Sequence, residues 1–220
     1  MENILLTGST GNLATYVVDS LLQGGYHLHL PVRTAIEGHG KKTSTSYHTN
    51  IIDSEQSGAL VRKIISDGKI IHAAVFLAGG FHPGNLDNTQ LEDINQMIQV
   101  NFGTAYTLAR KLIAHFRSAG GGKLIFIGAK SAMDFSTAQY NLAYSLSKQL
   151  LFNFSALINE SEKSFGITSH ILLPGTIRIE RDGHGDNADF TTPYTIADTI
   201  QDIIEGKEKR TIIDFNINGG

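Results

Sequence analysis

Apolar residues along the chain follow two alternating periods. Short, largely apolar runs at residues 3–6, 26–32, 47–52, 70–77, 123–127, 168–173 and 211–217 read as strands. Between them, residues 12–23, 54–66, 88–118, 139–163 and 193–205 carry helical spacing, as at Leu13, Tyr16, Val17 and Leu21. Gly24-Gly25 and Gly120-Gly121-Gly122 close two of these helices, and Ser54 opens another. A run such as 70–77, apolar without alternation, belongs to a strand buried on both faces. Strands separated by helices in this way predict right-handed crossovers. The expected fold is α/β: a Rossmann-like, doubly wound, seven-stranded parallel sheet in a single domain over residues 1–220. Segment 180–192, polar and glycine-bearing, has the least definite pattern and is expected to help form the substrate site.

Composition narrows the environment. Eighteen Lys and Arg against 21 Asp and Glu leave a net charge of −3, too balanced for a nucleic-acid or polybasic membrane surface. Cysteine is absent, which removes disulfides, thiolate metal sites and a cysteine nucleophile. No apolar run reaches the roughly 20 residues of a membrane span. Met1-Glu2 leads into a strand without a basic leader, so a cytoplasmic location is expected.

Thr7-Gly8-Ser9-Thr10-Gly11-Asn12-Leu13-Ala14 joins the first strand to the first helix. Gly8 permits a tight turn, Gly11 lets backbone amides approach a pyrophosphate, and Ala14 allows close helix–strand packing. That location makes a dinucleotide the expected ligand, with Gly8 to Leu13 as its phosphate loop. An NAD-preferring site places an acid near the end of the second strand. None occurs between Tyr26 and Ile36; Arg33 stands there, with Thr34 beside it. A guanidinium suits a 2′-phosphate, so NADP(H) is expected over NAD(H). Ser9 can add a hydroxyl, and Lys41-Lys42 can reach the same phosphate or simply be solvated. Asp53 can accept from an adenine amino group or serve as a helix N-terminal acid.

Tyr144 and Lys148 lie four residues apart, on one face of a helix. An ammonium near a phenol favours phenolate and draws its pKa from about 10 toward neutrality. The pair can therefore exchange a proton with a carbonyl or alcohol oxygen. Ser131, just past the fifth strand, is expected in the crevice beyond the strands' carboxyl ends, where its hydroxyl can bond the same oxygen.

In joint order and spacing the chain resembles the short-chain dehydrogenase/reductase family over essentially its whole length. The matching features are Thr7-Gly8-x-x-Gly11, Ala78-Gly79 followed by Gly80, Asn101 in Val100-Asn101-Phe102-Gly103, Ser131, Tyr144-x-x-x-Lys148 and Pro174-Gly175. The resemblance implies a tetrad of Asn101, Ser131, Tyr144 and Lys148. Tyr144 would be the acid/base, Lys148 its electrostatic partner and ribose ligand, Ser131 the carbonyl anchor, and Asn101 the support of a water relay. Ala78, Gly79, Gly80, Pro174, Gly175 and the backbone at Ile177 would border the cofactor. The chain departs from the family pattern in its Gly-x-x-Gly-x-x-Ala spacing, in Leu77 before Ala78, and in Ile179, where a threonine is common. Ala78-Gly79-Gly80-Phe81 with Gly84, Gly128-Ala129-Lys130-x-Ala132-x-Asp134, and Ala188-Asp189-Phe190 are similar to dihydropteridine reductases.

An NADPH-dependent carbonyl reductase of a small substrate is the leading expectation. A dihydropteridine-reductase-like enzyme, a non-catalytic NADP(H) sensor and a fold-only scaffold are the alternatives. Phe81, His82 and Tyr140 can rim the site or pack structurally. His27 and His29 alternate along one strand, more in keeping with strand-face histidines than with a metal pair. Apolar residues around the two longest helices, among them Phe102, Phe116, Leu151 and Phe154, predict a homodimer or homotetramer, the pairing that related folds make.

Overall fold

The computed structural model describes residues 1–34, 43–178 and 190–215. Strand β1 (Asn3–Thr7) is buried at every position and leads into α1 (Asn12–Gln23). Then follow β2 (His27–Val32), β3 (Ser44–His48), α2 (Ser54–Ser66) and β4 (Ile71–Phe76). Helices α3 (Leu91–Met97) and α4 (Thr104–Ala119) are joined by a π-helical turn, Ile98–Gly103. After β5 (Gly122–Ile127) come a 3-10 turn (Lys130–Ala132), α5 (Phe135–Ala138) and α6 (Leu142–Glu162). A second 3-10 turn (Lys163–Phe165), β6 (Ile167–Leu173), β7 (Thr176–Ile177), β8 (Phe190–Thr191), α7 (Pro193–Glu205) and β9 (Ile212–Asp214) complete the order.

The main sheet has seven strands in the order β3-β2-β1-β4-β5-β6-β9, each pair parallel, as expected. The chain moves outward from β1 to β3, then resumes on the other side with β4. This reversal opens a crevice beyond the carboxyl ends of β1 and β4, where ligands bind in such sheets. One apolar layer packs α2, α4 and α6 on the sheet through Leu60, Ile64, Leu108, Leu112, Leu151 and Ile158. The opposite layer packs α1 and α7 through Val17, Leu21, Ile196, Ile200 and Ile203. Each such side chain contributes about 1.5–3 kcal/mol by leaving water.

Several boundaries differ from the sequence expectation. The third strand lies earlier than 47–52, because Leu28 to Val32 pair with Ser44 to His48. As an edge strand it can be polar, while Ile51 turns back to pack on the core. The expected helix 88–118 begins at Leu91 and contains the π turn. The expected helix 139–163 begins at Leu142, since the backbone at 139–141 forms a turn paired with the 84 loop. Of the expected strand 211–217, Ile212–Asp214 is strand; residues 216–217 lie outside the described residues, as do Lys41, Lys42, Ile179 and most of 180–192. Phe116 and Leu151, read as surface candidates, are 0% and 2% exposed, because they point into the sheet layer.

A buried polar network closes the amino-terminal end of the sheet. His29 is 2% exposed between β1 and β3. Its Nε2 lies 3.2 Å from Asn3 Oδ1, and its Nδ1 lies 2.8 Å from the Tyr47 hydroxyl. The amide oxygen only accepts, so Nε2 carries the proton and Nδ1 accepts from Tyr47. His27 bonds Thr45, and among the described residues no group of His, Asp or Glu is arranged to hold a metal. Burial lowers the His29 pKa from 6.5 to about 4. The unfolded chain takes up this proton first as pH falls, so stability present above 6.5 declines between 6.5 and about 4. The full contribution is about 3 kcal/mol. Urea unfolding at pH 7 and pH 4.5 should show this loss, and His29→Asn should flatten the slope; a pH-independent midpoint would contradict it.

Candidate active site

Gly8 leaves β1 with φ of +70°, and a Cβ there would sit 2.5 Å from the backbone nitrogen of Ala78. Only glycine lets β1 and the end of β4 approach this closely. Gly11 is the N-cap of α1 and offers no side-chain cap; Ala14 N bonds back to Gly11 O at 3.0 Å, and the amides of Asn12 and Leu13 are the ones placed for an anion. A cleft of about 570 Å³ follows this turn, bordered by Ser9, Thr10, Val32, Leu77, Ala78 and Val100. Asn12 and Leu13 form the first turn of α1, with Leu13 packed on the α1/α7 core.

Arg33 and Thr34, both exposed at the end of β2, border the same cleft. His48 Nε2 donates to the Arg33 carbonyl at 2.8 Å, anchoring its backbone from β3. Asp53 is the N-cap of α2: Oδ1 accepts from the amides of Glu55 at 2.8 Å and Gln56 at 3.0 Å. Asn50 borders the cleft and can both donate and accept at an adenine edge.

The cleft ends at Gly79, where the proposed catalytic groups begin. A Cβ on Gly79 would lie 2.7 Å from Asn101 Oδ1 and 3.8 Å from Lys148 Nζ. The π turn carries Asn101 inward, to 1% exposure. Its Oδ1 accepts from Gly80 N at 2.7 Å, and its Nδ2 donates to Gly80 O at 3.1 Å and Ser147 Oγ at 2.9 Å. Ser147 in turn donates to the Tyr144 carbonyl at 2.6 Å. Asn101 thus ties the loop after β4 to helix α6.

Lys148 is 6% exposed and donates to the carbonyl of Ile127, at the end of β5, at 2.7 Å. Its Nζ is 5.6 Å from the centre of the Tyr144 ring. Burial lowers the ammonium's pKa to about 8 and raises the Tyr144 phenol to about 12. This corrects the expected pull of Tyr144 toward neutrality: desolvation disfavours the phenolate, while the Lys148 ammonium is engaged with Ile127.

Ser131 sits in the 3-10 turn after β5, 7% exposed, and its buried hydroxyl has no hydrogen-bond partner among the described residues. An unpaired buried hydroxyl costs about 1–3 kcal/mol, a debt a bound carbonyl would cancel. The Lys130 amide donates to Pro174 O at 2.9 Å, holding the end of β6 against this turn. Gly175 follows, and Ile177 pairs with Thr191 in the short β7–β8 ladder, which joins the two sides of segment 179–189.

The family model for short chain dehydrogenase matches residues 2–185. The chain is 23% identical over 128 residues to the 2,3-dihydro-2,3-dihydroxybenzoate dehydrogenase of Escherichia coli (strain K12), covering 58% of this chain and 50% of that protein. It is equally identical over 128 residues to an uncharacterized oxidoreductase of Thermotoga maritima, covering 58% and 49%. The matched region thus spans about half the length of these curated relatives. Among solved structures, ElxO with NADP bound superposes with a TM-score of 0.86 at 18% identity, covering 97% of this chain and 96% of that one. A 3-ketoacyl-(acyl-carrier-protein) reductase from Brucella melitensis, complexed with NADH, gives 0.84 at 16% identity, covering 97% and 96%. At these identities the structural likeness establishes the fold.

Proposed function

The chain belongs to the short-chain dehydrogenase/reductase family, and on that footing we propose that it is an NADPH-dependent carbonyl reductase of a small substrate. The observation that carries this reading is the meeting of Lys148, Asn101 and Gly79 at the inner end of a cleft that begins at an uncapped helix N-terminus. The residues fit a nicotinamide dinucleotide. The α1 amides suit its pyrophosphate, Asn50 the adenine, Arg33 and Thr34 a 2′-phosphate, and Lys148 the nicotinamide ribose. Pro174, Gly175 and Ile177 would border the nicotinamide.

When bound, the reduced nicotinamide supplies hydride to the carbonyl carbon. Ser131 and Tyr144 hold the carbonyl oxygen, and the phenol donates its proton there as negative charge develops. A phenol with a pKa near 12 stays protonated across the physiological range, which suits reduction. The product alkoxide is more basic still, so the proton transfer is downhill. Lys148 favours the phenolate left behind, and Asn101 holds the loop after β4 beside it. A pure cofactor sensor would leave the Ser131 hydroxyl without a task.

Arg33→Glu should weaken NADPH binding by about 10²-fold or more and leave NADH little changed, because it replaces a charge-assisted phosphate contact by repulsion. Titrations of both cofactors check this; equal wild-type affinity for NADPH and NADH would contradict the preference.

Self-association as a homodimer or homotetramer belongs to the same proposal. Phe102, Tyr106 and Phe154 form a ring cluster with centroid separations of 5.4–5.8 Å. Tyr106 is 41% exposed, and Leu157, on the same helix as Phe154, is 66% exposed. Light scattering at micromolar concentration should give a multiple of the 23.9 kDa chain mass; a monomer mass would refute association.

A further inference from the structure

The loop after β4 carries an aromatic ring that proton donation does not use. Phe81 is 63% exposed, yet its ring lies edge-on to Tyr144, with centroids 5.1 Å apart and planes at 66°. Its position is fixed from behind. Both backbone groups of the preceding residue, Gly80, are held by the Asn101 amide at 2.7 and 3.1 Å. The same amide reaches Ser147, which bonds the Tyr144 backbone. The backbone that leads into Phe81 is therefore tied to the backbone of Tyr144 through a continuous chain of contacts.

Single exposed apolar residues are ordinary, but a group of them beside a site calls for an explanation. Leu86, Met133, Phe135 and Tyr140 are 86%, 55%, 74% and 69% exposed. They occupy two segments, Phe135 at the start of α5, that are stitched together: Gly84 N donates to Tyr140 O at 3.0 Å, and Leu142 N donates to Gly84 O at 2.8 Å. One segment starts from Phe81, and the other runs from Ser131 to Tyr144. Phe81 meets the Tyr144 ring, and the second segment begins at Ser131 and ends at Tyr144, so both lie beside the groups assigned to the substrate carbonyl.

We propose that Phe81 is a specificity-determining residue that contacts the substrate, and that the preferred substrates carry a flat aromatic ring next to the reacting carbonyl. The inference rests on the reductase reading and deepens it. The Phe81 ring, 63% exposed beside Tyr144, offers an aromatic partner a face or edge contact that a saturated ring of equal bulk cannot match.

The test compares kcat/KM for aryl methyl ketones of one and two rings with their ring-saturated counterparts, in wild type, Phe81→Leu and Phe81→Tyr. Wild type should favour the aryl series by about tenfold. Phe81→Leu should bring the two series to parity by lowering the aryl values alone, with NADPH affinity unchanged as the control for an intact fold. Phe81→Tyr, which keeps the ring, should retain the preference. Equal wild-type values for the two series, or an equal loss of both in Phe81→Leu, would overturn the inference and leave the reductase reading standing. Failure of wild type to reduce any member of either series with NADPH or NADH would overturn both.

Discussion

Tyr144→Phe should leave NADPH affinity nearly unchanged and cut turnover by about 10²–10⁴, the usual share of general acid catalysis. The substitution keeps the ring, so the edge contact with Phe81 at 5.1 Å and the packing of α6 survive. Only the hydroxyl is removed, and with it the proton that the growing alkoxide needs. Cofactor titration and steady-state rates on a reduced substrate separate the two effects. Wild-type turnover in this variant, with chemistry limiting, would show that another group donates the proton.

Lys148→Met should abolish most activity while making the protein more stable. The ammonium is 6% exposed and its described hydrogen bond is to one carbonyl, so burial lowers its pKa from 10.5 to about 8. Holding that charge at pH 7 costs about 3 kcal/mol relative to the unfolded chain. Methionine removes the cost but also the partner of the Ile127 carbonyl, leaving a net gain of about 2 kcal/mol and a rise of several degrees in Tm. The same charge is assigned to the nicotinamide ribose and to the Tyr144 phenolate, so NADPH affinity and turnover should both fall.

The pH dependence follows the same group. Lys148 is charged below about pH 8, so wild-type reduction should hold at neutral pH and decline above it, well before Tyr144 ionises near 12. Stability runs the other way. Between pH 8 and 10.5 the unfolded chain binds the extra proton, so wild-type stability rises across that window, and Lys148→Met should lack the rise. A less stable Lys148→Met protein, or an alkaline limb that survives in it, would contradict this account.

The main sheet was legible because burial on both faces writes itself as continuous apolar runs, as in β1 and β4. β3 was misplaced for the same reason: an edge strand satisfies its backbone against β2 without apolar side chains. Glycine spacing pointed to Gly8, and the four-residue interval pointed to Tyr144 and Lys148, because those constraints are local. The long-range contacts were not legible. Nothing local distinguishes Ser147 from any helical serine, or marks Asn101 as the clamp on Gly80. Asn50 lay inside the expected strand 47–52, and only the observed end of β3 at His48 leaves it in the turn that borders the cleft. The phenol's pKa likewise turned on burial, which a four-residue spacing does not encode.

The π turn at Ile98–Gly103 couples the site to the length of its helix. Regularising it by deleting one residue would rotate α3 against α4 by about 100° and shift it about 1.5 Å along the axis. Asn101 could not then face Gly80 while Leu108, Leu112 and Phe116 kept their places under the sheet. The segment should therefore accept substitutions far more readily than changes in residue number. Its reading frame, as much as its composition, is part of the active site.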